Sequence, residues 1–598
     1  MKKIFLLFAF FFGFFIISPH TYAQGDFTTS FDVTYTVNES GKTHAIFYGT
    51  LTNAVENKYA SYYLLKTGFS DMENIKAADD LGSIQPTQTT NGIQILFNDH
   101  VVGIGKTLSF TISFDTTDIA KHNGDIWEIN IPGISNQEDF KNFTVHLSVP
   151  ESFGQVSYIK PSEAGNSLNF DKTTLGTSGI SIAFGTEQSY AFSLQYHLQN
   201  TNFFPVNTQI ALPPTTNYQT VAIDSIVPKP VNVVSDKDGN WLAQYQLLPS
   251  QKVTVTVAGR TTLTLSPKQE KLSSKDRSVY LQNQPYWDTT NSDIKKLAQD
   301  LKTPDAIFQY VVTHLSYDFS RVAGTQVRVG AANVLKNPTS AVCLEFTDLF
   351  IALARAAGIP AREIDGFAFT QNQQERPLSQ GRDILHAWPE YYDDSRQTWI
   401  MVDPTWENTT KGVDYFSVLD FDHVAFAIRG VNSTAPIPAG GYKFYTAPTS
   451  KDVSVTFGEP VQEEIQKAGF AFTTAQTVLS GFPVEGMLYV RNAGTQLIDN
   501  QQIIITSKDL TPHSQTVLTG EIPPFGSVNK TIGFDKTSFL TNGDKTITIQ
   551  LAGNTIEKSV HVYPFFLRKE YIIGGILFVV LCIVLCVLAT RPRRISVS

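Results

Sequence analysis

Cysteine is scarce in this chain. Only three cysteines occur in 598 residues, and two of them, Cys582 and Cys586, lie in an apolar run near the C-terminal end. The rest of the chain contains one thiol, that of Cys343, which excludes an internal disulfide there. Domains without disulfides depend on hydrophobic cores of ordinary size, and the length is sufficient for three or four such domains.

Runs of positive charge are missing between the two ends of the chain, and the formal net charge is −9. Proteins that bind nucleic acids or anionic lipid headgroups usually carry basic patches that contact the phosphates. The composition therefore predicts no nucleic-acid partner, and it leaves the oligomeric state open.

The N-terminal residues have the order of a secretory signal peptide over residues 1–23. Two lysines precede a short apolar run, residues 4–17, and the small residues Thr21 and Ala23 follow it. We expect cleavage after Ala23, so that the rest of the chain is exported. An uncleaved anchor helix is the alternative, but the apolar run is short for a membrane span.

Residues 571–589 form an uncharged apolar run near the other end. The run is long enough to cross about 30 Å of hydrocarbon. Three arginines follow it in a predicted cytoplasmic tail, residues 590–598. Together with the signal peptide, this pattern predicts a single-pass type I protein of the cell membrane, with its body outside the cytoplasm.

Short runs of alternating apolar and polar residues, such as "FDVTYTV" and "HAIFYGTL", dominate much of the exported body. They are rich in β-branched and aromatic residues and are typical of strands. We predict N-terminal all-β sandwich-like domains over residues 24–135 and 136–270, and a C-terminal Ig-like β-sandwich over residues 450–565. The stretch "DKDGN" (236–240) is interpreted as a hairpin turn, because the later glutamate of an EF-hand loop is missing.

Helical spacing replaces strict alternation after Lys271. The run Thr303-Pro304-Asp305 has the residue types of a helix start, and a second helical stretch follows Ser340. Strand-like segments come next, and "APIPAG" (435–440) is typical of a linker. We predict a mixed α+β domain over residues 285–432.

Cys343 is placed at the head of the second helical stretch, with Ser340 as the predicted N-cap. A thiol in a first helical turn lies at the positive end of the helix dipole, which favours the thiolate form. Backbone N–H groups at that turn can also stabilise an oxyanion beside the sulfur. A buried cysteine that acts as a small apolar residue is the more common case, so partners are needed for a catalytic interpretation.

Candidate partners occur in "ILHAWPEYY" (384–392) and "TWIMVDPTW" (398–406), which are typical of two antiparallel strands joined by a short hairpin. If the turn centres between Asp394 and Ser395, His386 and Asp403 face each other about 5 Å apart at Cβ. The aspartate could then orient the imidazole, which could take the proton from Cys343.

These segments resemble the three motif blocks of the transglutaminase-like superfamily. The blocks are "TSAVCLEFTDLFIALARAAGIPAREIDGFAF", "LHAWPEYY" and "WIMVDPTW", in that order, and "THLSYDF" (313–319) resembles the segment that precedes the cysteine block. The resemblance covers about residues 292–430, with Ala341 where many members have glycine. It implies a papain-like α+β core in which Cys343 is the nucleophile, His386 the base and Asp403 the orienting acid.

The resemblance implies thioester chemistry on amide bonds of a protein or peptide substrate. Water would resolve the thioester by hydrolysis, which we favour because hydrolysis needs no second substrate; an amine acceptor would give transglutaminase crosslinking. A receptor or adhesion scaffold with an idle domain is the alternative from another class. We expect no cofactor and no metal, because no second cysteine or nearby paired histidine completes a zinc site. The further pair in "FDHVAF" (421–426) is interpreted as structural.

The two apolar ends make the topology testable. Protease added to intact cells should degrade the large body and leave only the membrane segment and the tail, which an antibody to a C-terminal tag would detect. A body that stays intact until the cells are lysed would contradict the predicted topology.

Overall fold

A computed structural model describes residues 25–590, except for residues 91 and 166 and the segments 324–326, 379–384, 445–450 and 464–466. The predicted signal peptide and residues 591–598 of the predicted tail lie outside the described residues. The chain divides into two compact units, residues 1–122 with 127–184, and residues 123–126 with 185–598.

The first unit is built almost entirely from strands. The elements of the chain up to residue 184 are β1 (Phe27–Val37), β2 (Thr43–Asn53), β3 (Tyr62–Lys66), β4 (Glu73–Asp79), β5 (Gly82–Ile84), β6 (Thr87–Thr89), β7 (Gly92–Leu96), β8 (Thr107–Thr116), β9 (Ala120–Asn123), β10 (Ile126–Ile131), β11 (Phe140–Ser148), β12 (Val156–Lys160), β13 (Asn169–Asp171), α1 (Lys172–Leu175) and β14 (Ile180–Phe184). Their sheets have the orders β13-β11-β1-β2-β8-β4-β5, β12-β14-β10-β9 and β3-β7-β6. Side chains alternate between core and solvent along β1, as the sequence pattern predicts.

The boundary predicted between residues 135 and 136 falls inside this unit. Strand β11 runs parallel to β1, so the segments on the two sides of the predicted boundary share one sheet. The division comes instead after Phe184. Alternation identifies strands but does not show which strands pair, and a parallel pair joins segments that are far apart in sequence.

The second unit begins with six strands. They are β15 (Gln188–Gln199), β16 (Val206–Leu212), β17 (Gln219–Val227), β18 (Asn232–Ser235), β19 (Trp241–Leu247) and β20 (Lys252–Leu263). Strands β18 and β19 are antiparallel and pair from Asn232–Gln244 to Ser235–Trp241. The stretch 236–240 therefore is the hairpin turn that the sequence predicts.

The mixed region follows as an antiparallel sheet with helices. Its elements are α2 (Ser274–Val279), α3 (Ser292–Leu301), α4 (Pro304–His314), α5 (Ala331–Lys336), α6 (Cys343–Ala356), β21 (Ala361–Ala368), β22 (His386–Asp393), β23 (Thr398–Met401), α7 (Pro404–Thr409) and β24 (His423–Arg429). The sheet order is β23-β22-β21-β24. Thr303 caps α4 by accepting the Ala306 N–H at 3.2 Å, as the sequence predicts.

Helix α6 is the central helix of this region, and it is buried on all faces. The apolar side chains of Phe346, Leu349, Phe350 and Leu353 are fully buried. Polar residues on the other faces are buried too. The helix ends at Ala356, and Gly358, two residues later, has a φ of +83°, the left-handed conformation that favours glycine.

Strand β24 lies at the edge of the sheet, and two side chains from the preceding β-rich region bind its backbone groups. The Gln219 amide donates to the Ala425 carbonyl and accepts the Ala425 N–H, both at 2.9 Å. The Asn240 amide makes the same pair of bonds with Ile428, both at 2.7 Å. All of these groups are buried, so the amides replace a neighbouring strand.

The C-terminal part contains β25 (Val453–Phe457), β26 (Ala468–Thr474), β27 (Thr477–Leu479), β28 (Val484–Asn492), β29 (Gln502–Ser507), β30 (Thr516–Leu518), β31 (Ser527–Phe534), β32 (Gly543–Leu551), β33 (Asn554–Tyr563) and α8 (Lys569–Thr590). Strand β25 pairs with β15, so only the strands from β26 onwards form the two C-terminal sheets. The Ig-like assignment stays a prediction. Helix α8 is long and apolar enough, by its length and composition, to cross a membrane.

The amide of Asn240 gives a stability prediction. Asn240→Ala leaves a buried N–H and a buried carbonyl of Ile428 without partners, so the free energy of unfolding should fall by about 2–3 kcal/mol. Urea titration followed by tryptophan fluorescence measures this, because five of the six tryptophans lie in the second unit. Asn202→Ala, in an exposed turn, is the control; an unchanged midpoint for Asn240→Ala would contradict the assigned role.

Candidate active site

Cys343 is the first residue of helix α6. The N-cap is Val342, whose backbone N–H donates to the Glu345 carboxylate at 3.1 Å. The prediction that Ser340 is the N-cap is therefore wrong, although Cys343 lies in the first turn as predicted. The backbone N–H groups of Cys343 and Leu344 have no acceptor within the helix, and the positive end of the helix dipole is at this turn.

A buried carboxylate fixes the start of α6. Glu345 is fully buried and forms an ion pair with Arg321 at 3.2 Å. It also accepts the backbone N–H of Val329 at 3.1 Å. A buried charge is strongly unfavourable without such partners, so these contacts restrict where the first helical turn can lie. The position of the Cys343 sulfur is restricted with it.

His386 and Asp403 are in contact, but not in the predicted way. Strands β22 and β23 pair in a register that sets Glu390 opposite Met401, and β23 ends at Met401. Asp403 therefore does not face His386 across the ladder; it is the N-cap of α7 instead. The His386 Nε2 atom nevertheless lies 2.9 Å from Asp403 Oδ2.

The two oxygens of Asp403 have separate partners. Oδ1 accepts the backbone N–H groups of Thr405 at 2.9 Å and Trp406 at 3.1 Å, which caps helix α7. Oδ2 faces the imidazole of His386 and, at 3.3 Å, that of His423. Burial raises the pKa of Asp403, but the charges and hydrogen bonds of the two histidines outweigh it and hold that pKa well below its usual range. The carboxylate is therefore ionised, and both rings donate to it.

The surroundings of His386 favour the protonated, positively charged form of its ring. Burial lowers its pKa, but the charge of Asp403, the hydrogen bond to Asp403 and the proximity of Cys343 outweigh burial and raise the pKa to about 9. The Nδ1 atom is buried and has no hydrogen-bond partner of ordinary geometry among the described residues. We therefore describe Cys343 as adjacent to the ring and not as hydrogen bonded to it.

Cys343 and His386 line the same small cavity, of about 210 Å³. An ion pair also borders it, since Arg429 Nη1 lies 2.9 Å from Asp365 Oδ2. Burial raises the pKa of Asp365 to about 7, although the Arg429 charge opposes this. The cavity therefore places charged groups beside the thiol. Its lining residues are Tyr317, Val342, Cys343, Leu344, Asp365, Leu385, His386, Ala387, Arg429 and Pro438.

His423 is a member of the site that the sequence did not identify. Its Nε2 atom faces Asp403, and its Nδ1 atom lies 2.6 Å from Asp420 Oδ1. The sequence interpretation treated the His–Asp pair of "FDHVAF", His423 with Asp422, as structural and did not connect His423 with Asp420 or Asp403. The available signal was the spacing "DFDH", in which an aspartate precedes a histidine by three residues at the start of a strand.

The sequence-based reason against a zinc site is also wrong, because it assumed that no second histidine lies near. Donor atoms of His386, Asp403 and His423 lie within 4.8 Å of one another. Their contacts at 2.9 and 3.3 Å are those of protonated rings around one carboxylate. We interpret the cluster as a proton-sharing group and assign no metal to it.

Residues 288–404 match the Transglutaminase-like superfamily. This segment contains Cys343, His386 and Asp403. The predicted family is therefore confirmed for the mixed region of the chain. His423 and Asp420 lie beyond the matched residues.

Solved structures show only distant likeness to this chain. A "Putative Cysteine Protease" from Cytophaga hutchinsonii is 17% identical, covers 46% of this chain and 87% of its own, and gives a TM-score of 0.31. An M1 zinc metallopeptidase from Deinococcus radiodurans is 13% identical, covers 30% of this chain and 45% of its own, and gives 0.18. At these scores the likenesses give no information on activity. No curated protein matches the chain.

The raised pKa values predict how stability depends on pH. The pKa of His386 and that of His423 are both about 9 in the folded protein, against an ordinary value of 6.5. The stabilisation of the folded protein by the two protonated rings is therefore complete below pH 6.5, and it is lost as the pH rises through about 9. Asp403→Asn removes the shared anion. The free energy of unfolding of the wild type should therefore exceed that of Asp403→Asn by about 3 kcal/mol near pH 6 and by much less at pH 10.

Urea midpoints measured from pH 5 to 10 check this prediction. The matched control is Asp544→Asn, which removes the exposed partner of His561 at 2.7 Å and should change the midpoint little at any pH. A difference between wild type and Asp403→Asn that stays constant from pH 6 to pH 10 would show that the histidines are not held as cations.

Proposed function

We propose that this protein is a membrane-tethered cysteine enzyme that acts on amide bonds outside the cytoplasm through Cys343, His386 and Asp403. The observation that carries the proposal is the hydrogen bond between His386 and the ionised Asp403, on a ring that lines the same cavity as Cys343. A cysteine, a histidine and an orienting carboxylate in this order are what nucleophilic acyl transfer requires.

The first half of the reaction forms a thioester. The Cys343 thiolate attacks the carbonyl carbon of the substrate amide, and the new oxyanion can accept the N–H groups of Cys343 and Leu344 at the helix start. The His386 imidazolium gives its Nδ1 proton to the amide nitrogen. The C–N bond then breaks, the amine leaves, and the acyl group stays on sulfur.

The second half of the reaction releases the acyl group. Water attacks the thioester carbonyl, and His386 Nδ1 takes a proton from it. The C–S bond breaks, which gives a carboxylic acid and restores the thiolate beside the imidazolium. Hydrolysis is our first choice because it needs no second substrate; a primary amine in place of water would give a crosslink through the same thioester.

The cellular setting supports a substrate outside the cytoplasm. The apolar helix α8 is long enough to hold the chain in a membrane, and the N-terminal sequence has the features of an export signal. We propose a protein or peptide substrate at the cell surface. The β-rich regions are candidates for spacing the site from the membrane or for binding that substrate.

Labelling of Cys343 by iodoacetamide at pH 7 tests the proposal directly. A thiolate paired with an imidazolium should react about 10- to 30-fold faster than a free thiol, which is only a few per cent ionised at that pH. His386→Gln should slow the labelling because the imidazolium is gone. Asp403→Asn should slow it less, since orientation and part of the charge support are lost.

Cys343→Ala serves as the blank for Cys582 and Cys586 in the membrane helix, and it should lose all amide hydrolysis while staying folded. Mass spectrometry of products from a peptide mixture distinguishes hydrolysis from amine transfer. A Cys343 that is labelled only after denaturation would make the chain a scaffold with an idle domain.

A further inference from the structure

A chain of buried polar groups extends beyond His386 and Asp403. Asp420 Oδ1 lies 2.6 Å from His423 Nδ1, and His423 Nε2 lies 3.3 Å from the same Asp403 oxygen that binds His386. All four residues are buried. Two tryptophan rings pack against His423, that of Trp406 with a ring-centre distance of 4.5 Å and that of Trp388 with 4.9 Å. The order of groups is therefore Asp420, His423, Asp403, His386.

The geometry of these four side chains indicates where their protons lie. An ionised carboxylate has no proton to donate, so a ring nitrogen that faces one must carry the proton itself. Both nitrogens of His423 face carboxylates, whereas a neutral imidazole has only one N–H. With Asp420 ionised as Asp403 is, His423 is an imidazolium. The site then consists of alternating charges, with an anion at Asp420, a cation at His423, an anion at Asp403 and a cation at His386.

Other titratable groups around His423 do not alter this count. Burial lowers the pKa of His423, but the charge of Asp420 and hydrogen bonds to Asp403 and Asp420 raise it to about 9. Arg376 donates to the Tyr415 hydroxyl at 2.8 Å. The other titratable and charged groups near these four residues are Cys343, Tyr317, Asp365, Tyr415, Asp422, Arg376 and Arg429.

We propose that His423, held as a cation by Asp420, is a positioning residue that acts on His386 through the carboxylate they share. The proposal rests on the proposed function of Cys343, His386 and Asp403, and it adds a second cation to that group. His423 limits how strongly Asp403 binds the His386 proton, because one oxygen divides its charge between two cations.

The chemical consequence concerns the leaving group. His386 must give its Nδ1 proton to the departing amine, and a carboxylate that belonged to His386 alone would retain that proton more strongly. Sharing Asp403 with His423 makes the imidazolium a better acid. The Oδ1 contacts to α7 keep the carboxylate in place, so the effect of His423 is mainly electrostatic.

The experiment measures the rate of Cys343 alkylation by iodoacetamide against pH, in the full chain, for the variants His423→Gln and Asp420→Asn. Loss of a positive charge strengthens proton binding at neighbouring groups. The plot of alkylation rate against pH should have one inflection for the thiol and one for the imidazolium. Both should therefore move to higher pH, by about one pH unit for the loss of a charge as close as His423. Asp420→Asn should act in the same direction, because without the second anion His423 loses its extra proton.

The double variant His423→Gln/Asp420→Asn should show no more displacement than His423→Gln alone, since Asp420 acts through His423. The matched control is His197→Gln, which removes a different, partly buried histidine, 3.1 Å from Asp452. It should leave the profile unmoved. A purely structural role for His423 would lower the folded fraction but leave the inflections of the folded protein where they are, and that result would overturn the proposal.

The wild type gives a second measurement that does not depend on the variants. Selective ¹⁵N labelling of histidine and NMR should show both ring nitrogens of His423 protonated at pH 7, and a neutral His423 would overturn the proposal even if the variants fail to fold. Failure of the proposed function has a different result: Cys343 of the wild type would then be unreactive at every pH.

Discussion

Burial of the Asp403 carboxylate requires partners for both of its oxygens, and the parts of the site are arranged around that requirement. One oxygen caps the start of helix α7 by accepting backbone N–H groups of its first turn. The other lies between two imidazole rings from strands β22 and β24. A change at any of these elements would leave a charge or an N–H group without a partner in a medium of low dielectric. The geometry of the imidazole beside the thiol is therefore determined by three separate segments of the chain.

The same constraint extends into the core around helix α6. Arg328 contacts both Asp348 and Glu363, and Arg429 binds Glu363 at 3.0 Å and Asp365 at 2.9 Å. A buried ion network of this kind contributes little net stability compared with apolar packing, but removal of one member is strongly destabilising. It fixes the helix against strand β21 in one register, which a core of interchangeable apolar side chains would specify less well.

Sequence reasoning placed Cys343 in the first turn of a helix, and the structure has it there; its role as the nucleophile stays a prediction. It also paired His386 with Asp403, though through a ladder register that the structure does not have; the true contact depends on the turn into α7. His423 was not connected to the site, since its contact with Asp403 arises only when α7 packs against β24. The division after Phe184 was missed for a related reason, because alternating residues do not identify the partner of a strand.

The two amides that complete the edge of β24 have a consequence for how this chain could be divided into fragments. Gln219 and Asn240 belong to the β-rich region before the mixed domain, yet they satisfy the strand that begins with His423. Residues 285–432 cut out alone would expose an unpaired strand edge, where copies of the fragment could add to one another as extra strands. The unit that can fold without an exposed strand edge is thus larger than the segment that carries the reactive groups, and it begins near residue 185.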